Sequence, residues 1–463
     1  MAGLNRLLSF LIIIIISHTT LAYHDLLPPG SYPPESTSPA TLPLPEPPVS
    51  APISFPPAAS PEIFLPFPDA PEPSPSSFPP ENSSPEPAAF PGSPVPSPTT
   101  LPFPEPPEQS PNLPPPSRPS RPIRAAYWPS FGTFPASDIE TSYFSHIYYA
   151  FVLPEPTTYN LNISTFHQTK IPEFINALRS KTPSVKTLLS IGGGGNDPSV
   201  FSKMASTFET RLTFIKSTIF AARKYGFDGV DLDWEFPANE EDMLNLALLF
   251  QQWRKAIDIE AKFCGKPRLL LTSAVYYAQK WSFGVPRSYP TKAIRKYVDW
   301  VSPMCFDYHG SWENFTGLHS ALYDPETNLD SSYGIGSWIG SGVPPKKIVM
   351  GLPLYGRTWT LKNQSDNGVG APAVGVGPGE GVLVYSDIVD FNELTEATVV
   401  FDSDTASFYS FVDDSWIGYD DTLSINLKTR FAKYNGLGGY FFWALGQDKN
   451  WILSSEASKI WNI

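Results

Sequence analysis

The sequence predicts an α/β fold, a (β/α)₈ TIM barrel over residues 123–463 with an α+β subdomain inserted at about residues 361–431. Eight short, mostly apolar runs recur in this region, as expected of strands covered on both faces. Helical stretches separate them, and this eightfold alternation favours a barrel over an open sheet. The predicted strands are Arg124–Tyr127, His146–Val152, Lys186–Ile191, Gly229–Glu235, Leu269–Tyr276, Trp300–Phe306, Lys347–Leu354 and Gly438–Ala444.

The helices and the insertion follow from the intervals between these runs. Apolar residues recur every three to four positions over Arg211–Tyr225, and Gly226 ends that helix. Asn239 is placed to cap the next helix. The interval between the seventh and eighth strands is too long for one helix and holds two β-like runs, Thr398–Phe401 and Trp416–Tyr419. It therefore predicts the inserted subdomain.

The first 22 residues are typical of a secretory signal peptide. Arg6 precedes an apolar run, Leu7–Ile16, which is shorter than the roughly 20 residues that span a bilayer. Small residues then place the cleavage after Ala22. The alternative is a short membrane anchor. A cleaved signal peptide predicts a secreted protein, extracellular or in the cell wall, with no membrane association after cleavage.

Residues 23–122 form a Pro-rich segment that holds 36 of the 54 prolines in the 463-residue chain. Proline fixes φ and removes backbone donors, so this composition predicts disorder and extended polyproline II. The segment is either a stalk, O-glycosylated and associated with the cell wall, or an inert tail. Four N-x-[ST] sequons, which agree with secretion, begin at Asn82, Asn162, Asn314 and Asn363.

Composition excludes some classes of partner. The formal charge is −13 and no basic patch is present, so nucleic acid is not expected as a partner. No cofactor is predicted. The two cysteines, Cys264 and Cys305, leave both a disulfide and two buried thiols open, because sequence does not fix the distance between them.

The stretch Asp228–Glu235, which begins one residue before the fourth predicted strand, carries four acids. Because side chains alternate along a strand, Asp231, Asp233 and Glu235 share one face, and the apolar residues between them share the other. The apolar face suits the outer helices, so the acids point into the barrel. Glu235 then lies at the C-terminal end, where barrel enzymes carry their chemistry. Like charges about 6.6 Å apart along a strand raise at least one pKa, as a proton donor near neutral pH requires.

Two other interpretations of these acids are weaker. An amphipathic edge strand would expose the acidic face, but Gly229-Val230 and Trp234 suggest a covered strand. A hard cation could bind three acids, but the strand has no histidine and no metal-ligand spacing is matched. No metal site is predicted.

The acidic strand matches the D-x-x-D-x-D-x-E signature of glycoside hydrolase family 18, the chitinases. Ser190–Gly193 resembles that family's third-strand S-x-G-G motif, and Met304–Asp307 resembles its sixth-strand M-x-Y-D motif. Gly439–Trp443 resembles the eighth-strand segment that ends in a sugar-stacking tryptophan. The ordered set covers the whole region from residue 123, and it looks most like the plant class V chitinases.

The resemblance implies a reaction and roles for the four acids. This family retains anomeric configuration with the acetamido oxygen of the substrate as nucleophile. Glu235 would protonate the glycosidic oxygen and then activate water. Asp233 would orient the acetamido group, Asp231 would share a proton with Asp233, and Asp228 would support the strand from below. The implied ligand is chitin or an N-acetylglucosamine oligosaccharide.

The resemblance also implies a substrate-binding set along the cleft. Trp443 would form the floor beneath the reacting sugar, and Trp312 would extend the platform towards the leaving-group sugars. Tyr127 and Phe151 lie at strand ends on the same wall, where packing explains them equally well. The remaining positions that match the family cleft are Met304, Asp307, Tyr355 and Arg357.

One departure separates competing functions. Phe306 stands where the family usually has a tyrosine whose hydroxyl bonds the acetamido oxygen. Losing one such donor can cost roughly 10²–10³-fold in rate. The leading interpretation is a secreted endo-chitinase. The alternatives are a chitin-binding lectin or weak transglycosylase on the same barrel, and a wall-associated structural glycoprotein.

Overall fold

The computed structural model describes residues 122–283, 285–324 and 326–462. The predicted signal peptide, residues 1–22, and the Pro-rich segment as far as residue 121 lie outside the described residues. Within the described part of the chain, we find no helix with the length and apolar character that crossing a bilayer requires.

Sixteen strands occur in the described ranges. They are β1 (Ile123–Pro129), β2 (His146–Val152), β3 (Lys186–Gly192), β4 (Gly229–Asp233), β5 (Leu270–Tyr276), β6 (Lys280–Phe283), β7 (Val285–Ser288), β8 (Trp300–Met304), β9 (Val349–Pro353), β10 (Tyr355–Leu361), β11 (Ala373–Val376), β12 (Val382–Val384), β13 (Thr398–Asp402), β14 (Ser407–Val412), β15 (Ser415–Tyr419) and β16 (Gly439–Trp443).

Nine α-helices alternate with these strands in the same ranges. They are α1 (Thr165–Arg179), α2 (Pro198–Ser206), α3 (Phe208–Tyr225), α4 (Glu240–Cys264), α5 (Thr291–Tyr297), α6 (Ser331–Gly340), α7 (Tyr385–Thr395), α8 (Thr422–Tyr434) and α9 (Ile452–Asn462).

Eight parallel strands form the predicted barrel, in the order β8-β5-β4-β3-β2-β1-β16-β9. Neighbouring strands in this order pair over four or five residues each. The two end strands, β8 and β9, meet through a single parallel bridge between Val301 and Ile348. The barrel is therefore nearly closed, with a seam between β8 and β9, and the predicted fold class is confirmed.

The strands are buried on both faces, which accounts for their apolar runs. A small cluster inside the barrel includes Tyr127, Tyr148, Trp300 and Phe441. A much larger cluster lies between the strands and the outer helices. Burial of apolar area on this scale is the main favourable term in folding.

Local signals set the ends of the helices around the acidic strand. Helix α3 starts at a capping box between Thr207 and Thr210 and ends at Gly226, whose φ of 81° suits glycine. Helix α4 is capped as predicted, since the N–H of Asp242 donates to Asn239 Oδ1 at 2.9 Å. These two helices flank β4 along the chain and fix where it begins and ends.

The inserted subdomain is an antiparallel sheet of β10–β15 with helix α7. It starts at Tyr355, because only Leu354 separates β9 from β10 and the apolar run continues across the junction. It ends at Tyr419, whereas the prediction placed the insertion at residues 361–431. Helix α8 follows it and packs on α9 and β16, as a barrel helix does. The hairpin β6–β7 was not predicted.

A buried ion pair ties the subdomain to the barrel. Asp420, which follows β15, pairs with Lys428 of α8, and both side chains are about 1% exposed. Ser320 donates to Asp420 Oδ2 at 2.8 Å and accepts from Lys428 Nζ at 3.2 Å. The two charges therefore hold three segments of the chain together.

The two cysteines are not bonded to each other. Cys264 is exposed at the end of α4, and Cys305 is buried just after β8. The structure thus agrees with two thiols, although only one is buried.

Candidate active site

The acidic strand has the predicted two faces. Asp231 and Asp233 are almost fully buried on the barrel side, and Glu235 follows two residues beyond the end of β4. The intervening apolar residues belong to the outer cluster: they are Val230, Leu232 and Trp234. Glu235 therefore lies at the C-terminal ends of the strands, the position that the sequence predicted.

Three hydroxyl groups hold Asp231: two come from the adjacent strands β3 and β5, and one comes from β1 across the barrel interior. Tyr127 and Ser190 donate to its Oδ2 at 2.9 and 2.8 Å, and Thr272 donates to its Oδ1 at 2.6 Å. Burial raises the pKa of Asp231, while these hydrogen bonds oppose the rise. Hydrogen bonds from three strands fix the carboxyl group in place.

Asp233 and Glu235 are the two acids whose pKa values are strongly raised. Burial, together with the charges of Glu235 and Asp231, raises the pKa of Asp233 well above its ordinary value. Burial and the charge of Asp307 raise the pKa of Glu235 to about 8. Asp233 Oδ1 is buried and has no hydrogen-bond partner among the described residues. At neutral pH this site holds a protonated carboxyl group at the mouth of the barrel and an unsatisfied acceptor beside it.

Two glycines allow the backbone of β3 to approach Asp233. A Cβ atom on Gly192 would lie 1.9 Å from the Asp233 carbonyl oxygen, and its φ is 123°. The N–H of Gly193 donates to that same oxygen at 2.9 Å. The Ser190–Gly193 motif thus supplies one hydroxyl group to Asp231 and a glycine pair to the turn after β3.

A fourth acid, Asp307, lies just after β8 and is held as an anion. Its Oδ1 accepts from Tyr355 Oη at 2.7 Å and from Arg357 Nε and Nη2 at 2.8 and 2.7 Å. Although burial alone would raise the pKa of Asp307, the Arg357 charge and the contacts with His319 and Tyr355 hold it well below its usual range. Asp307 therefore stays charged and favours the protonated form of Glu235.

Aromatic rings line the cleft around these acids. Trp443, half-buried at the end of β16, stacks on Phe151 with ring centroids 5.5 Å apart and an interplanar angle of 18°. Met304 is also half-buried in the cluster inside the barrel. Trp312 is 36% exposed, with the Arg357 guanidinium 5.1 Å from its ring centroid. These are flat apolar surfaces of the kind that pack on sugar rings.

Two predicted site residues, Tyr127 and Asp228, take a different position from the others. Tyr127 is 1% exposed and serves Asp231, so it supports the acids from below. Asp228 is exposed at the start of β4, where its Oδ2 accepts from the Thr187 N–H at 2.9 Å. The strand separates it from Glu235. Phe306 lies beside Tyr355 and carries no hydroxyl group.

Sequence reasoning missed two contributors. Thr272 pairs in register with Asp231 across β4 and β5, as Ser190 does across β3 and β4, so strand register could have identified it. His319 lies far along the chain in a loop. Its ring is fully buried, with Nε2 3.1 Å from the Tyr355 carbonyl oxygen and Nδ1 3.6 Å from Asp307 Oδ1. No sequence signal predicted that position.

A TIM barrel that carries a buried row of acids and an aromatic cleft at the C-terminal ends of its strands defines a glycoside hydrolase. Residues 123–448 match the family described as Glycosyl hydrolases family 18. The chain belongs to glycoside hydrolase family 18, and within that family it resembles the plant class V chitinases.

Individual relatives agree with this assignment. The Class V chitinase CHIT5 of Lotus japonicus is 55% identical over 342 residues, which cover 73% of this chain and 86% of the relative. The crystal structure of a GH18 chitinase from Cycas revoluta in complex with (GlcNAc)3 is 44% identical, with a TM-score of 0.71, and covers 73% of this chain and 99% of the other. A chitinase-like agglutinin from Robinia pseudoacacia, with a TM-score of 0.68 and 40% identity, covers the same shares.

Proposed function

We propose that the protein is a secreted chitinase that hydrolyses β-1,4 linkages between N-acetylglucosamine units, with Glu235 as its proton donor. One observation carries the proposal. Glu235 has a pKa raised to about 8 at the mouth of the barrel, so it enters the reaction protonated at neutral pH. The chitinases among its relatives, one of them solved with (GlcNAc)3, support the choice of substrate.

The proposed reaction is substrate-assisted and retains configuration at C1. Glu235 gives its proton to the glycosidic oxygen while the acetamido oxygen of the same sugar attacks C1 from the opposite face. The C1–O bond breaks and the leaving sugar departs with the proton. The unsatisfied Asp233 Oδ1 suits the acetamido N–H. Passing the proton that it shares with Asp231 to that residue leaves Asp233 as a carboxylate, which stabilises the cyclic cation that forms. Glu235 then takes a proton from water, which attacks C1 and restores the acetamido group.

The surrounding residues support this chemistry. Burial and the fixed negative charge of Asp307 keep Glu235 protonated. Trp443 offers a flat, half-buried ring beneath the reacting sugar, and Trp312 offers an exposed ring further along the cleft. The acids Asp231, Asp233 and Glu235 lie along β4 and just beyond its end, which supports hydrolysis rather than sugar binding alone, despite the missing hydroxyl group at Phe306.

Secretion and wall association form the second part of the proposal. The signal pattern of residues 1–22 and the proline content of residues 23–122 support it. The three sequon asparagines within the described ranges, Asn162, Asn314 and Asn363, are all exposed. Expression of the full chain and of a variant without residues 23–122 tests it. Export of both, with wall material retaining only the full chain, is the expected result; equal retention would remove the stalk from the proposal.

Cleavage of a chitin hexasaccharide is the experiment for the activity. The wild type, Glu235→Gln and a control at an exposed glutamate, Glu326→Gln, are compared by mass spectrometry. Proton NMR in the first minutes reads the anomer of the new reducing end. We expect short products from the wild type and Glu326→Gln only, with the β-anomer first. Sugar binding without cleavage by any of the three would contradict the hydrolase and leave a lectin. An α-anomer would contradict retention.

A further inference from the structure

A surface cavity of about 360 Å³ lies on the outer wall of the barrel, between the loop that follows β2 and helix α3. None of the cleft residues described above lines it. One side is formed by the loop and the start of α1, and the other by one face of α3. The lining residues include Asn160, Leu161, Gln168, Phe220, Lys224 and Tyr225.

The lining combines aromatic and amide groups. Phe220 is 68% exposed, so its ring is accessible at the edge of the cavity. Tyr225 is half-buried, with Lys224 Nζ 5.1 Å from its ring centroid. Asn160 and Gln168 are exposed, and Gln168 Nε2 donates to the Ile163 carbonyl oxygen at 3.1 Å, which leaves its amide oxygen available. An apolar ring face with amide donors and acceptors around it suits a pyranose, which has one face of C–H groups and a rim of hydroxyl groups.

A sequon lies at the rim of this cavity. Asn162 stands between two lining residues, Leu161 and Ile163, and is followed by Ser164. Its backbone is fixed, because the Leu161 N–H donates to Ser217 Oγ at 3.0 Å and the Asn162 N–H donates to the Leu153 carbonyl oxygen at 2.8 Å. Its side-chain amide is exposed. A sugar attached to Asn162 would therefore start at the mouth of the cavity.

We propose that Asn162 carries an N-linked glycan whose first two sugars, a β-1,4-linked N-acetylglucosamine pair, pack in this cavity against Phe220. In the attachment step the amide nitrogen of Asn162 bonds to C1 of the first sugar and loses one proton. The C1–O bond to a lipid-linked pyrophosphate donor of the secretory pathway breaks, and the pyrophosphate leaves. The inference rests on the secretion part of the proposed function and not on hydrolysis. The same disaccharide could also enter the cavity as a free molecule, and the experiment separates these sources.

The first arm of the test uses the full chain secreted from a eukaryotic host. Mass spectrometry measures occupancy at each sequon. The rate at which a peptide-N-glycanase releases the Asn162 glycan is measured on native and on denatured protein. We expect occupancy at Asn162 and release several-fold slower from the native protein. Phe220→Ala should remove that protection, whereas Phe263→Ala, at another highly exposed ring, should leave it intact.

The second arm uses unglycosylated Glu235→Gln protein, which is not expected to cleave the probe, titrated with N,N′-diacetylchitobiose. We expect no saturable binding at the cavity, because a tethered sugar has a high effective concentration that a free one lacks. Saturable binding that Phe220→Ala abolishes would overturn the assignment to the protein's own glycan and make the cavity a site for free sugar.

The remaining outcomes are also decisive. Secretion with occupancy at Asn314 or Asn363 but not at Asn162 would overturn the modification and leave secretion standing. Occupancy at Asn162 with equal release from native and denatured protein would overturn the packing. Failure of export altogether would overturn both this inference and the secretion part of the proposed function, while hydrolysis by the protein would be unaffected.

Discussion

Replacing Glu235 with glutamine should stabilise the protein, and the gain should depend on pH. The folded-state pKa of Glu235 is raised from 4.5 to about 8, so the native protein must hold a proton that the unfolded chain releases above pH 4.5. Its contribution to stability is fully present below pH 4.5 and is lost as the pH rises towards 8. Glutamine cannot ionise, so the variant lacks this loss.

The size of the effect follows from the shift. About 3.5 pKa units at 1.36 kcal/mol each give an upper limit of ~5 kcal/mol. Because Glu235 keeps some solvent contact at the cleft, screening leaves about 3 kcal/mol. A domain of about 340 residues unfolds with an entropy of roughly 0.7 kcal/mol/K, so the thermal midpoint should differ by about 4 °C.

Thermal unfolding of the wild type, Glu235→Gln and Glu326→Gln at pH values from 4.5 to 8.5 measures this difference. The midpoint of Glu235→Gln should exceed that of the wild type by an amount that grows across this range, while Glu326→Gln should follow the wild type. A constant difference between Glu235→Gln and the wild type at every pH would refute the raised pKa, and with it the argument that Glu235 enters the reaction protonated.

Three other substitutions test separate parts of the structure. Asp307→Asn removes the charge that raises the pKa of Glu235, so the alkaline limb of the kcat/KM profile should move to lower pH; an unmoved limb would contradict the coupling. Phe306→Tyr supplies a hydroxyl group in the cleft and should raise turnover of a chitin hexasaccharide, by up to roughly 10²-fold; equal or slower turnover would show that this position does not limit the rate. Lys428→Met leaves Asp420 buried without its partner and should cost ~3–5 kcal/mol in chemical denaturation, whereas the double variant with Asp420→Leu should recover most of the loss.

Much of the barrel could be predicted from the sequence because its signals are local. Each predicted barrel strand overlaps the observed one and differs from it by no more than three residues at either end. The acid face of β4 followed from the two-residue period alone. The junction between β9 and β10 did not, because Leu354 and Tyr355 continue the apolar run without a break. Neither did the hairpin β6–β7, because each of its strands has only four residues and the second contains Pro286.

The same difference between local and long-range signals decides which site residues could be predicted. Asp231, Asp233 and Glu235 lie on one strand, so a single stretch of sequence predicts their arrangement. Thr272 needed the pairing of β4 with β5, which is a property of the sheet. His319 reaches Asp307 through the path of a loop between β8 and α6, and no periodicity in the sequence encodes such a path.

The seam between β8 and β9 is the place where the barrel should open most easily. Asp307 follows β8, and Arg357 lies just beyond β9. Their ion pair therefore links the two strands in addition to the single bridge at Val301. Breathing of the barrel should start there, and amide hydrogens of β8 and β9 should exchange before those of β3 and β4. A sugar chain bound over this ion pair would hold β8 and β9 together. Occupancy of the cleft should therefore be measurable as slower amide hydrogen exchange in these two strands.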